Sequence, residues 1–119
     1  MITRLQPNEI FVFGSNQGGR HAGGAARLAK DKFGAQEGVG EGLTGQSYAF
    51  PTLTAAFEKV SRAALETSRD RFFATARAHP DKVFLLTKVG CGIAGFREDQ
   101  IRPLFANAPS NVVLPEDWR

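Results

Sequence analysis

Apolar residues in this chain recur at two spacings, and the switches between them outline the elements. Met1 to Asn8 predicts an extended lead-in, part of it as an edge strand, and Glu9 to Phe13, rich in β-branched and aromatic residues, predicts a strand. Ala22 to Phe33 predicts a helix, with Ala25, Leu28, Ala29 and Phe33 on its apolar face and Gly34 just past its end. Gly34 to Gly45 holds five glycines and predicts a long irregular loop. Gln46 to Phe50 predicts a short strand ended by Pro51, and Thr52 to Val60 is open between loop and short helix. Ser61 is placed to cap a helix running to Ala78, with Leu65, Phe72 and Ala76 on one face and His79-Pro80 closing it. Lys82 to Lys88 is apolar enough for a central, parallel strand. A helix starting near Asp99 tolerates Pro103 in its first turn and carries Ile101, Leu104 and Phe105. Asn111 to Leu114 predicts a last strand, followed by a polar tail. Strands alternating with helices predict an α/β fold in three layers (α/β/α) around a mixed, largely parallel sheet.

Two strands run into glycine-rich turns. The first holds Gly14, Gly18, Gly19, Gly23 and Gly24, and the second is Val89 to Phe96, VGCGIAGF. Neither spacing is that of a Walker loop or a clean G-x-G-x-x-G. Glycine there serves either tight geometry or close approach of backbone N–H groups to an anion at a helix N-terminus. If both strands are parallel, both turns lie on one sheet edge and flank one crevice. A diphosphate gripped by backbone amides from two sides is the ligand chemistry that fits, with Gly34 to Gly45 as its cover.

Composition narrows the function classes. A length of 119 residues fits one domain spanning residues 1–119. The net charge of +3 comes from 15 Lys and Arg interspersed with 12 Asp and Glu. No basic stripe stands out, so nucleic acid is not indicated, whereas a small anion suits the balance. There is no apolar run long enough for a membrane span and no charged-then-apolar leader, so neither a membrane nor export is expected. Cys91, the single cysteine, excludes an internal disulfide and fits a reducing, cytoplasmic compartment. With two histidines beside it, no zinc site is expected, and no cofactor either.

The segments around these turns resemble the macrodomain family, which binds ADP-ribose. Asn16 followed by Gly18, His21, Gly23, Gly24, Ala25 and Ala26 has the spacing of that family's first signature, with Ser15-Asn16 where Ala-Asn is usual. KVGCGIAGF is similar to its second signature. The GCG form and GQSYAFPT are most similar to the branch of terminal ADP-ribose glycohydrolases and bacterial antitoxins. Small macrodomain-like proteins of bacteria and phages look similar too. The resemblance implies that Asn16 bonds the distal ribose and that Phe96 borders it. It implies a diphosphate held by the amides of Gly23, Gly24, Ala25, Cys91, Gly92, Ile93 and Ala94, within a site reaching over Gly14, Ser15, Gly90 and Gly95. The branch's catalytic Lys and Asp fall on Leu53 and Ala94, which disfavours hydrolysis by that route. An acid that contacts adenine in the family has no counterpart before Glu9.

Each candidate also has a plainer reading. Asn16 suits a loop with left-handed geometry as well as a ribose. His21 is either a phosphate ligand or general base, the one weak catalytic candidate, or a capping or surface histidine. Cys91 reads as a small filler more readily than as an activated thiol. Lys88 faces the crevice or solvent; Glu37 and Glu41 position a water or are simply solvated. Tyr48 and Phe50 read as core or rim more readily than as a stack on adenine. Three functions follow: binding of free ADP-ribose, of an ADP-ribosylated macromolecule or of a related nucleotide diphosphate; hydrolysis of ADP-ribosyl or O-acyl-ADP-ribose esters, with His21, Glu41 or the ligand's phosphate activating water; or a homo-oligomeric interaction protein that uses no crevice ligand.

Overall fold

The structure is a computed structural model describing residues 2–119, so Met1 of the expected lead-in lies outside the described residues. Strand β1 (Glu9–Asn16) is the middle strand of five. The sheet order is β2 (Gly42–Thr44), β3 (Ser47–Leu53), β1, β4 (Val83–Leu86), β5 (Val112–Val113). β1 pairs in parallel with both β3 and β4, β4 with β5 in parallel, and β2 with β3 antiparallel, so the sheet is mixed and mostly parallel. Three helices complete the α/β domain: α1 (Gly24–Lys32), α2 (Arg62–Ala78) and the short α3 (Glu98–Ile101).

Alternation along β1 divides the core. Phe11 and Phe13 join Ala26, Ala29, Phe33 and Ala49 in one cluster, against α1. Ile10 and Val12 join Tyr48, Phe50, Leu65, Phe72, Phe84 and Phe105 in a larger one, against α2. Successive strand residues point to opposite faces, so both faces of the strand must be apolar. Phe72 sits among Tyr48, Phe50, Phe73, Phe84 and Phe105, with ring centroids 4.9–6.3 Å away. Offset and edge-on contacts at such distances add to the burial of area alone.

Several boundaries differ from those expected. β1 runs past Phe13 to Asn16, and α1 begins at Gly24, not Ala22, burying Ala26 and Ala29 while Ala25 is exposed. The described lead-in residues form no strand. The glycine segment 34–45 is not wholly irregular: its last residues form β2. Gly34 and Gly45 pack backbone to backbone there, and a Cβ on Gly45 would stand 2.8 Å from the Gly34 Cα. Pro51 does not end β3. β2 pairs only as far as Ala49, so Pro51 lies on an open edge where its missing N–H forfeits no ladder bond. Thr52 to Val60 holds no helix: Thr52 and Leu53 end β3, and the turn that follows is closed by an antiparallel bridge between Leu53 and Lys59. β4 is interior, not central, and shorter than Lys82 to Lys88.

The helical segments near the C-terminus depart further. α3 stops at Ile101, and Pro103 opens a 3-10 turn over Arg102–Phe105 instead of sitting in the first turn of one helix. β5 keeps two of the four expected residues. The tail is not simply polar, because Glu116–Trp118 form a 3-10 turn that buries Trp118 at 4% exposure. Its indole stacks on Phe105 at 6.4 Å and donates Nε1–H to Glu98 at 2.8 Å. The α2 boundaries were legible: Ser61 accepts the Ala64 N–H at 3.1 Å, and His79 caps the far end. No helix among the described residues is long and apolar enough to cross a membrane. Trp118→Ala should lower unfolding stability by about 3–5 kcal/mol, the usual loss for a buried large aromatic. Urea titration followed by circular dichroism checks this, and a loss under about 1 kcal/mol would mean that the indole is not part of the core.

Candidate functional site

Because β3, β1 and β4 are parallel, their carboxyl ends share one edge of the sheet. A cleft of about 550 Å³ opens there. The turn after β1 and the start of α1 form one wall, the turn after β4 the other, and Thr52, Leu53 and Phe57 after β3 close one end. Of the candidates, Gly14, Ser15, Asn16, Gly23, Gly24, Ala25, Gly90, Gly92, Ile93 and Ala94 line it. His21, Cys91, Gly95 and Phe96 do not.

The walls present backbone donors. The first backbone bond of α1 runs from the Arg27 N–H to the Gly23 carbonyl, leaving the N–H groups of Gly24, Ala25 and Ala26 without a protein acceptor among the described residues. No acid occupies that first turn and no side chain caps it. Opposite, the N–H groups of Gly92, Ile93 and Ala94 also lack a protein acceptor among the described residues. The Cys91 N–H, by contrast, donates to the Lys88 carbonyl at 3.1 Å, so it is spent within the turn and is not available as the family resemblance implied. Gly90 makes this turn with a φ of +77°, where a Cβ would stand 3.1 Å from Thr52 and Phe96 side chains, so only glycine fits comfortably. The walls meet through Ile93: its Cδ1 lies 3.7–3.8 Å from where a Cβ on Gly24 or Gly23 would stand.

The cleft holds few side-chain charges. Arg20 and Lys88 are the only ionisable side chains lining the cleft among the described residues, and no carboxylate lines it. Lys88 Nζ pairs with Asp117 at 2.6 Å and Glu98 at 3.2 Å. Those two carboxylates hold its pKa above the ordinary value. Glu98 is held low by the Trp118 indole N–H and then by Lys88, and Asp117 chiefly by Lys88.

The individual candidates sort as follows. Asn16, at the end of β1, accepts the Arg20 N–H at 3.1 Å and donates to the Arg20 carbonyl at 2.9 Å, so it shapes its own loop. A primary amide keeps one further hydrogen and lone-pair capacity for a ligand. His21 is 1% exposed, edge-on to Phe13 at 5.2 Å, with neither ring nitrogen bonded among the described residues. It is neither a capping nor a surface histidine. Its backbone N–H donates to Glu37, whose pKa is lowered chiefly by that bond. Glu41 pairs with Arg71 at 3.0 Å and does not line the cleft. Cys91 is half-buried and burial pushes its thiol pKa up, which suits a packing role and opposes a nucleophilic one. Phe96 packs under Lys59, with Nζ 5.3 Å from the ring centroid. Tyr48 and Phe50 are core residues, and burial pushes the Tyr48 pKa up to about 12.

Arg20, Thr52, Leu53, Thr87 and Phe57 also line the cleft. Thr52 and Leu53 would have been found by continuing β3 through Pro51, since the parallel register carries them to the same edge. Phe57 left no sequence signal, because the turn geometry that presents it depends on the pairing of Leu53 with Lys59. No protein-family model, no curated protein and no solved structure matches the chain.

The cluster of Lys88, Glu98 and Asp117 makes stability pH-dependent in a defined way. The two depressed carboxyls contribute at neutral pH and lose that contribution as pH falls through their folded values, below the ordinary 4.5 and 3.8. The raised lysine contributes below its ordinary 10.5 and loses that as pH rises through its higher folded value. The stability difference between wild type and Lys88→Met should be widest near neutrality and shrink on both flanks, staying small because all three groups are solvent-screened. Unfolding titrations across pH check this, and a difference that grows toward acid would contradict it.

Proposed function

We propose that this chain binds ADP-ribose or a related nucleotide diphosphate in a macrodomain-like, three-layer fold. The observation that carries the reading is that two sets of amides without a protein acceptor among the described residues, Gly24 to Ala26 and Gly92 to Ala94, line one cleft that no carboxylate lines. Amides without protein acceptors at a helix start and in a glycine turn complement phosphate oxygens without a dedicated cationic side chain. The cleft volume is within the range of small-molecule sites.

A second hollow supports the choice of a nucleotide over inorganic diphosphate. A largely apolar groove of about 940 Å³ lies over β4 and β5, with Leu28, Leu85, Val113, Leu114 and Pro115 in its walls beside the charged Glu116 and Arg119. It shares Gly24, Ala25, Thr87 and Lys88 with the cleft, so the two adjoin. A base would lie in this groove, the diphosphate between the amide sets, and the distal ribose toward Asn16. The hydrolytic alternative gains no support from the side chains, since neither His21 nor Glu41 lines the cleft. It would need the ligand's own phosphate to activate water.

Gly92 offers a clean test. No atom lies within 4 Å of a Cβ built there, so a larger residue does not disturb the fold but projects at the cleft wall. Gly92→Val should weaken ADP-ribose binding at least about 10-fold, the cost of losing one or two charge-assisted amide bonds, with an unchanged melting temperature. Equal affinity of the two proteins in calorimetry would remove the amide walls from the binding site.

A further inference from the structure

Phe57 breaks two rules at one position. It is a large aromatic side chain left 53% exposed, and its backbone sits at a φ of +64°, the only non-glycine with positive φ among the described residues. A bulky residue in the left-handed region is a genuine outlier, and such outliers persist where the surroundings over-determine them. The turn does so. Thr54 donates its N–H to the Glu58 carbonyl at 2.7 Å, its carbonyl accepts from Phe57 at 2.9 Å, and its hydroxyl accepts from Ala56 and Glu58 at 3.2 Å each. Pairing of Leu53 with Lys59 closes the base. The ring joins neither core cluster and stacks on no other aromatic ring among the described residues, yet it lines the cleft. Neither the exposure nor the strain helps the fold; both hold an aromatic ring at the cleft mouth.

Its place in the topology gives it a partner chemistry. Across the sheet edge the order is the turn after β3 with Phe57, the loop after β1, the turn after β4, then the apolar groove over β4 and β5. The amide sets therefore lie between the groove at one end and the Phe57 ring at the other. We infer that the site takes a two-ended ligand, a dinucleotide in which ring systems flank the diphosphate, with the second ring stacked on Phe57. This rests on the diphosphate reading of the cleft and specifies its ligand class. Aromatic faces accept any planar ring, so the platform sets the number of rings and not their identity.

The test compares NAD, which carries a ring at each end, with ADP-ribose, which lacks the second ring, by calorimetry on wild type, Phe57→Gly and Phe57→Tyr. Glycine removes the ring and suits the left-handed backbone, so Phe57→Gly should melt no lower than wild type. Wild type should bind NAD about 10-fold more tightly than ADP-ribose, the scale of one base stacked on an aromatic side chain. Phe57→Gly should erase that preference by weakening NAD about 10-fold, and Phe57→Tyr should keep it. ADP-ribose bound as tightly as NAD by wild type, or an NAD preference that survives in Phe57→Gly, would overturn the platform and leave the diphosphate site standing. Binding of neither molecule by wild type would overturn both.

Discussion

Parallel pairing of β1 with strands on both sides is the constraint from which the rest follows. It obliges β1 to be apolar on both faces, and Ile10, Phe11, Val12 and Phe13 meet that demand by feeding alternate side chains to separate clusters. It also forces each connection to cross over and return, which sends α1 and α2 to their places. The same direction of travel brings three strand ends to one edge. Both glycine turns fall among the loops there, and His21 and Val89 tie them back into the core.

The cleft owes its character to backbone more than to side chains. Its most prominent polar side chain, Asn16, is engaged with Arg20, and its lysine is held by Glu98 and Asp117. What remains available is N–H, presented by the uncapped start of α1 and by the turn after β4. Small residues dominate its walls, which leaves the backbone open to close approach. The lysine cluster links the cleft to the C-terminal turn: Glu98 bonds both Lys88 and Trp118, so the wall after β4 is braced by the packing of the tail.

The helix α2 and the interior strands were legible because local signals and tertiary demands agree there: a serine cap, one apolar face, a closing His79-Pro80 and continuous apolar runs. Both glycine turns were legible for the same reason, and most of their residues line the cleft. What the sequence hid depends on pairing at a distance. Pro51 looks like a strand end until β2 is seen to stop at Ala49. Trp118 looks like tail until Phe105 is folded beneath it. His21 looks like an accessible base, yet the loop turns it inward against Phe13. Phe57 could not be singled out, because its backbone strain exists only once the turn around Thr54 is closed.

The most direct measurement of the central claim is calorimetric titration of the purified protein with ADP-ribose, with AMP and ADP as comparisons. The amide-lined cleft and the adjoining groove predict micromolar binding of ADP-ribose that AMP and ADP do not match. The absence of any heat or thermal shift with ADP-ribose would contradict the assignment of the cleft as a nucleotide diphosphate site.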